Sequence, residues 1–467
     1  MKRCLFYMVA AGLLACLAYT CRAQAAPLSL SEAVALALGN NPQVAAADFE
    51  VDAAETKFKE VRSSARFHLT LNASYIHLEE APTLNVAPIS LSSLQGLMQM
   101  LHPGAPIPPM QLSIPGFALS KQDMRRYTLN AEQPLWTGGR VKHGVSQVRH
   151  GVGALDAAAQ AKRRDIAGAV AEAYLKAVLA RRAAQVQQSA ADTVAAHVGQ
   201  AQSLFDKGLI PKYELMRAQT ELANAERRAL DAANQSDLAV AFLLDLLGLP
   251  EMETPELTTD LSGALVFQMT YEEAVAAAFE HSPDMKALSE RGAMYEAGVR
   301  SARADLKPVV AAVAQQDMRD EDLPVTQPEA FVGIVVKLPL LDGGGARARA
   351  SYNRRMQDRN AEDVTRLTNG IRLQVRKYYL DLQSASKALE AADKAVSLAR
   401  ESLRLAERRF EVGEGASIEV TDAVLGLTVA ETNLQNARCQ YDTAYYGLLT
   451  AMGQIVEHFE DKGGDLS

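Results

Sequence analysis

Apolar residues recur along three stretches of the chain at alternating steps of three and four. These stretches are 170–205, 375–410 and 420–448. The spacing corresponds to the 3.5-residue period of coiled-coil packing, and proline is absent from the interiors of the surrounding segments. Four long helices are therefore predicted, the first about 100 Å long, at 140–205, 211–248, 345–410 and 416–453.

Shorter stretches before each helical part alternate instead between apolar and other residues. They lie at 67–75 and 127–131, and at 309–314 and 332–338. A period of two predicts four strands in two hairpins, as in a half-buried sheet or a membrane barrel. Four strands are too few to enclose a pore, and lipid does not tolerate open sheet edges. If the strands span a membrane, several copies of the chain must share one barrel.

The chain consists of two copies of one unit. Pro-Leu-Trp-Thr-Gly-Gly at 134–139 corresponds to Pro-Leu-Leu-Asp-Gly-Gly at 339–344, 205 residues later. Upstream the offset is 241, so the first copy is 36 residues longer, and the extra length falls in a loop at 79–126. We therefore predict a first repeat over 26–250, a second over 251–454 with strands at about 307–340, and a C-terminal tail at 455–467.

The N-terminus has the features of a secretory signal. Lys2 and Arg3 precede an uncharged stretch, and a small-x-small site ends at Ala25. This predicts a signal peptide over 1–25. An uncleaved anchor helix and lipoprotein processing with acylation of Cys16 stay open as alternatives. Cleavage after Ala25 would leave Cys439 as the single cysteine, so no intrachain disulfide could form.

Charge and composition restrict the function. Lys+Arg number 48 against Asp+Glu 56, a net charge of −8, and removal of 1–25 would make it more negative, so no nucleic-acid partner is expected. Residues 81–120 carry no Asp, Glu, Lys or Arg but contain seven prolines, which exclude a membrane-spanning helix there. We find no catalytic, cofactor-binding or metal-binding motif, and His77 near Glu79 is interpreted as solvated loop charge.

The order of these features resembles the TolC-type outer-membrane efflux proteins. The resemblance rests on the doubled layout, on the two Pro-Leu-x-x-Gly-Gly junctions, on the turns at Gly208 and Gly413, and on the opening pattern from Leu30 to Pro42. It implies a mainly α fold with membrane β: long coiled-coil helical hairpins that form an α-barrel, plus four β-strands per chain in a shared trimeric 12-stranded β-barrel.

The resemblance also implies a function and partners. The chain would form a homotrimer in outer-membrane lipid, with its helical part in the periplasm. It would be a passive export conduit of a tripartite efflux or type I secretion system, joined through a periplasmic adaptor protein to an inner-membrane transporter. The alternative that we weigh is a periplasmic coiled-coil adaptor or scaffold without a pore. An enzyme is a third and less favoured interpretation.

The resemblance assigns acidic residues to a periplasmic entrance. Position by position from the turns, the entrance acids fall on Glu419 and Asp422, and a gate acid falls on Glu214. A spacing of three puts Glu419 and Asp422 on one helix face, although a pair of solvated charges at a helix start is the alternative. Gly415 stands where the best-known member has a partner arginine, so a different latch is expected, through Lys212, Arg217 or Arg409.

The junctions between strands and helices supply the remaining candidates. Their glycine pairs are expected to let the chain turn, and they are Gly138, Gly139, Gly343 and Gly344. Trp136 stands beside the first pair, where it would anchor the barrel at the membrane interface or simply pack at the junction.

Overall fold

The structure is a computed structural model. It describes residues 27–80, 83–85, 87–104, 106–109, 111–113, 115, 117–118, 122–249, 255–319 and 330–463. The predicted signal peptide lies outside the described residues. The helices are α1 (Leu30–Asn40), α2 (Pro42–Ser63), α3 (Ser92–Leu101), α4 (Arg140–Asp206), α5 (Lys212–Leu246), α6 (Tyr271–Glu280), α7 (Pro283–Ala304), α8 (Gly345–Glu411), α9 (Ser417–Ala451) and α10 (Ile455–Gly463). The strands are β1 (Pro27–Leu28), β2 (His68–His77), β3 (Thr83–Leu84), β4 (Ile89–Ser90), β5 (Gln111–Leu112), β6 (Phe117–Ala118), β7 (Asp123–Trp136), β8 (Glu256–Leu257), β9 (Val309–Arg319) and β10 (Ala330–Lys337).

The chain divides into two compact units. The first comprises the described parts of Met1–Glu55, Arg149–Ala293 and Gln357–Ser467, and it is almost entirely helical. The second comprises Thr56–Val148 and Met294–Met356 and contains the main sheet.

The two long hairpins, α4 with α5 and α8 with α9, repeat one another. Helices α4 and α8 both have 67 residues, and α5 and α9 both have 35. Every position of the apolar series from Val375 to Phe410 is buried or half-buried, as is every position from Val420 to Leu448. Alanines such as Ala173 line the seam of α4 and let neighbouring helices approach closely.

The shorter helices of the hairpins differ slightly from the expected bounds. Each begins one residue later and ends two residues earlier than 211–248 and 416–453. Pro211 and Ala416 have extended backbone and stand outside the helices as N-caps. Gly248 and Gly453 have φ of +68° and +77°, a left-handed conformation that ends a helix.

The C-terminal residues beyond 454 were expected to be a tail, but part of them is a helix. Ile455 of α10 is fully buried, and the Phe459 ring stacks on Tyr446 with centroids 5.5 Å apart. Nine helical residues are too few to show a repeating pattern, so their burial depends on the core they pack against.

The segment before α6, at the start of the second repeat, is attached to the helices by buried polar groups. The Tyr174 hydroxyl donates to the Leu28 carbonyl (2.7 Å) and accepts from the Thr259 amide (3.0 Å), which holds β1 and β8 as a parallel pair. The buried Asp442 carboxylate accepts hydrogen bonds from the amides of Ser262 (2.9 Å) and Gly263 (3.1 Å).

The main sheet has four antiparallel strands in the order β10-β9-β7-β2. Cross-strand partners place Leu69, Ala131, Ala314 and Val332 on one face, which we call the apolar face. The opposite face is largely polar on β2 and β7. On β9 and β10 it is mixed, with Val313 and Val335 beside Gln315, Asp317 and Lys337.

The fold class expected from the sequence, long helical hairpins plus four strands per chain, is confirmed. The four described strands form an open sheet with β10 and β2 at its edges, and one chain closes no barrel among its described residues. Within the same residues, no helix combines the length and apolarity needed to cross a membrane.

Beyond the sheet, the long loop of the first copy forms an arm. We use this name for β3, β4, α3, β5 and β6. Strand β3 pairs with β6 and β4 pairs with β5, and α3 follows β4 in the chain. We call these two short ladders the ribbon.

Candidate functional site

Two glycine turns form the ends of the helical hairpins. Gly208 has φ of +73° and Gly413 has φ of +78°. The amide of Leu209 donates to the Leu204 carbonyl (2.9 Å), and the equivalent amide of Glu414 donates to the Arg409 carbonyl (2.9 Å). These backward hydrogen bonds satisfy carbonyls at the helix ends, and only glycine adopts the required backbone without steric cost.

The entrance candidates lie directly after these turns. Glu214 is in the first turn of α5, and Glu419 occupies the equivalent place in the first turn of α9. The helix dipole favours a carboxylate at both positions. Asp422 lies three residues after Glu419 and is exposed. The repeat offset matches Asp422 with Arg217, so the pair of acids Glu419 and Asp422 has no equivalent pair in the first hairpin.

One of the three basic residues considered for a latch contacts an entrance acid. Arg409 Nη1 lies 3.4 Å from Glu419 Oε2, across the second turn, with both side chains partly exposed. Among the described residues, no such ion pair joins Lys212 or Arg217 to Glu214, Glu419 or Asp422. The equivalent of Arg409 in the first copy is Leu204, so this pair is specific to the second hairpin.

A buried histidine connects the two hairpins near the turns, and sequence reasoning missed it. The Nε2 atom of His197, on α4, lies 2.8 Å from the Ser417 hydroxyl at the start of α9. Its ring contacts Phe410 of α8, with centroids 4.6 Å apart. His197 Nδ1 and Glu214 Oε2 are buried and have no hydrogen-bond partner in the part of the chain that the structure describes.

Burial sets the charge state of this histidine. The pKa of His197 lies below its ordinary value because burial disfavours the cation, while the Glu214 carboxylate acts weakly in the opposite direction. The sequence signal that could have indicated its burial is its position next to Val198, a residue of the apolar series in 170–205. The repeat comparison could not reveal it, because the equivalent residue in the second copy is Ser402.

The strand-to-helix junctions contain all four predicted glycines in left-handed backbone. Their φ values are +62° and +90° at Gly138 and Gly139, and +65° and +86° at Gly343 and Gly344. At Gly138 space is also restrictive, since a Cβ atom there would lie 2.5 Å from Lys307 Cβ. Trp136 ends β7 and is 48% exposed, and the register with β9 shifts between Pro134, which pairs with Ala311, and Trp136, which pairs with Val310.

An N-terminal cap at the second junction also went unnoticed in the sequence. The Asp342 carboxylate accepts hydrogen bonds from the amides of Ala346 (2.6 Å) and Gly344 (3.0 Å). These bonds lower the pKa of Asp342. The first copy has Thr137 at this position, and its hydroxyl accepts more weakly from the Val141 amide (3.4 Å).

His77, the one histidine considered as a possible metal ligand, instead pairs with a carboxylate. His77 Nδ1 lies 2.7 Å from Asp123 Oδ1, and the Tyr75 hydroxyl lies 2.6 Å from the same oxygen. These bonds join the outer ends of β2 and β7. Within the described ranges, no three His, Cys, Asp or Glu side chains come close enough together to hold a metal ion.

Comparison with protein families identifies this architecture. The model of the outer membrane efflux protein family matches residues 33–249 and 274–454, most of both repeats. The chain therefore belongs to the outer membrane efflux protein family. The resemblance to the TolC-type outer-membrane efflux proteins is confirmed, and the protein is an outer-membrane efflux channel with its helical part in the periplasm. The alternative of an adaptor without a pore is not supported.

Solved structures of other efflux proteins have the same fold. CusC is 16% identical with a TM-score of 0.72, and the match covers 91% of this chain and 92% of CusC. VceC of Vibrio cholerae is 19% identical (TM-score 0.66, covering 91% and 96%), and the open MtrE channel of Neisseria gonorrhoeae is 17% identical (TM-score 0.68, covering 91% and 88%). The comparison with curated protein sequences gave no match.

Proposed function

We propose that three copies of this chain form one channel across the outer membrane. The observation that carries the proposal is the open four-stranded sheet. Because the strands alternate in direction, its edge strands β10 and β2 run in opposite directions. Strand β10 of one copy can then pair antiparallel with β2 of the next, and twelve strands close a barrel with no edge exposed to lipid.

The channel would be a passive conduit of a tripartite system. The long hairpins, α4 with α5 and α8 with α9, would continue the barrel through the periplasm as a helical cylinder. A periplasmic adaptor protein would contact the hairpin ends, and an inner-membrane transporter would supply the energy. The absence of a motif for nucleotide hydrolysis in the sequence is consistent with this division of labour.

The hairpin ends would form the periplasmic entrance. Threefold symmetry would turn Glu419 and Asp422 into two rings of three carboxylates, which attract cations and repel anions. Glu214 would line the same constriction from the first hairpin. The ion pair between Arg409 and Glu419 would neutralise part of the charge of the Glu419 ring. It would also hold the second hairpin in its present arrangement.

The remaining assignments follow from the same assembly. Residues 1–25 would direct export, and 26–250 and 251–454 would be the two structural repeats. The junction glycines would let each strand turn into its helix at the membrane surface. Trp136 would anchor that level of the barrel in the interface, where an amphipathic ring is favoured.

The entrance is tested by ion selectivity in planar bilayers. For the purified trimer, we expect the double substitution Glu419→Ala plus Asp422→Ala to lower the cation-to-anion permeability ratio several-fold and to weaken block by multivalent cations. Asp393→Ala, which removes an exposed acid from the C-terminal half of α8, should leave both unchanged. Unchanged selectivity and block in the double variant would remove Glu419 and Asp422 from the entrance.

Membrane extraction tests the channel itself. A protein whose strands span the outer membrane should stay with the membrane in alkaline carbonate and require detergent for release. Release by carbonate alone, as a folded water-soluble protein, would contradict the shared barrel.

A further inference from the structure

The arm presents an apolar helix face that nothing in a single chain covers. In α3, Leu94, Leu97, Met98 and Leu101 follow the spacing of one helix face. Their side chains are 48%, 56%, 45% and 68% exposed, and α3 contains no buried residue. The other side of the helix carries serines and glutamines, together with Met100, which is 82% exposed. Apolar faces of this kind indicate a binding surface.

The ribbon that carries α3 also needs support. The β2–β7 ladder ends at the amide of Leu78, which donates to the Gln122 carbonyl (2.7 Å), and each of the two ladders of the ribbon has two residue pairs. The cross-strand pair Ile89 and Leu112 of the ribbon is exposed. A two-stranded ribbon is only marginally stable in water by itself, so contacts outside its own chain must stabilise it.

Charge and position identify the occupant. Residues 81–120 contain no Asp, Glu, Lys or Arg, so identical arms can converge without mutual repulsion. Helices that lie on anionic lipid surfaces usually carry Lys or Arg on the polar face, and α3 carries neither. The arm also leaves the sheet from β2, the edge strand that adjoins the next copy in the proposed barrel.

We propose that the three copies of α3 in one channel pack together through the face formed by Leu94, Leu97, Met98 and Leu101, and form a cap over the outer mouth. The proposal rests on the proposed function, since it requires the trimeric barrel. The second copy has no counterpart of this helix among its described residues, so each channel would carry three such helices. The polar sides of the helices would face water.

Cross-linking between copies tests this contact. The one cysteine of the described residues, Cys439, is buried and serves as an unreactive background. Leu97→Cys, treated on intact cells with a bifunctional maleimide spanning about 10 Å, should give covalent dimers in more than half of the protein. Gln95→Cys, on the opposite side of the same helix, should accept a monofunctional maleimide equally well but give several-fold fewer dimers.

Conductance supplies the functional readout. The triple substitution Leu94→Ser, Leu97→Ser and Leu101→Ser should separate the helices and at least double the open-channel conductance in planar bilayers. Ser92→Ala plus Gln99→Ala, on the polar side, should leave the conductance unchanged. If the wild-type protein forms no pore at all, the proposed function fails rather than the cap.

Two results would overturn the cap while leaving the channel intact. The first combines two findings. The Leu97→Cys protein labels fully with the monofunctional reagent but yields no covalent dimer, and the triple substitution leaves the conductance unchanged. The other is quenching of a fluorophore on Leu97→Cys by quenchers attached to lipid chains, which would place α3 in the outer leaflet instead.

Discussion

Single buried polar residues decide how the helices of this channel are held together. His197 and Asp442 each connect elements that are far apart in the chain, and each is almost completely buried. A polar group removed from water is tolerated only when partners satisfy it or when it stays neutral. The consequences of changing such residues can therefore be predicted individually.

Packing at the hairpin ends should weaken in acid. The pKa of His197 is lowered in the folded protein, so the unfolded chain binds a proton more readily below its pKa of about 6.5. The stability that the folded protein gains from keeping this imidazole neutral is fully present above a pH of about 6.5. It is lost as the pH falls from there through the lower pKa of His197 in the folded protein. We expect amides near His197 to exchange faster at pH 5.5 than at pH 7.5, after correction for intrinsic rates.

The matched comparison uses another histidine of the same helix. His197→Gln should abolish this extra pH dependence, whereas His150→Gln, at a half-buried position beside Glu290, should retain it. Equal acid sensitivity in wild type and His197→Gln would show that a different group is responsible.

Removal of the Asp442 carboxylate should loosen the segment before α6, at the start of the second repeat. Asp442→Ala leaves the buried amide of Gly263 and that of Ser262 without their acceptor, at a cost of about 1–3 kcal/mol. Asp237 occupies the same place in the first repeat but is exposed, so Asp237→Ala should change stability by less than about 0.5 kcal/mol. Thermal unfolding and proteolysis between residues 255 and 265 measure the difference. Equal effects of the two substitutions would show that the hydrogen bonds of Asp442 do not hold this segment.

At the scale of elements, the turns define where each hairpin ends. The long helices contain no internal stop, and a left-handed glycine ends each one. The same residue type has the opposite effect inside a helix, where glycine is unfavourable relative to alanine. The two situations can be compared within the second hairpin.

Gly413→Ala should destabilise the second hairpin end, because its φ of +78° costs a non-glycine residue about 1–2 kcal/mol. Gly426→Ala, inside α9 with open space around the added methyl group, should stabilise the helix by about 0.5–1 kcal/mol. Hydrogen exchange of the hairpin end in the detergent-solubilised trimer distinguishes the two. Faster exchange in both variants would mean that Gly426 has a constraint of its own.

At the scale of the whole molecule, the two faces of the sheet meet different solvents. Ile334 shares the apolar face with Leu69 and Val332, whereas Val335 lies on the opposite face. In a barrel, the first face contacts lipid and the second contacts the water-filled interior. Adjacent residues of one strand should therefore respond differently to a charge.

Ile334→Lys should reduce the yield of folded trimer in the membrane, since a lysine in the middle of the lipid face costs about 2–4 kcal/mol. Val335→Lys should fold normally and alter ion selectivity instead. Refolding into liposomes, followed on unheated gels, gives the trimer yields. Loss of trimer in Val335→Lys, with normal folding of Ile334→Lys, would reverse the assignment of the faces.

The sequence by itself determined the elements and their duplication. Apolar residues at alternating steps of three and four along 375–410 indicate which face of a helix is buried, and the period of two in 332–338 does the same for a strand. The offset of 205 residues indicates that these elements are repeated. The two periods are local signals and the offset repeats them along the chain, so the helices, the four strands and the glycine turns at Gly208 and Gly413 could be predicted. The resemblance to a family of efflux channels depended on the same order of elements.

Tertiary structure alone decided which equivalent residues have different roles. Asp442 is buried against Ser262, while Asp237, in the same position of the first repeat, is exposed. His197 meets Ser417 across 220 residues, and part of the tail becomes a helix on the core. The physical reason is that periodicity specifies the face an element buries, whereas the partner that meets it is chosen by packing between distant segments, which no local pattern records.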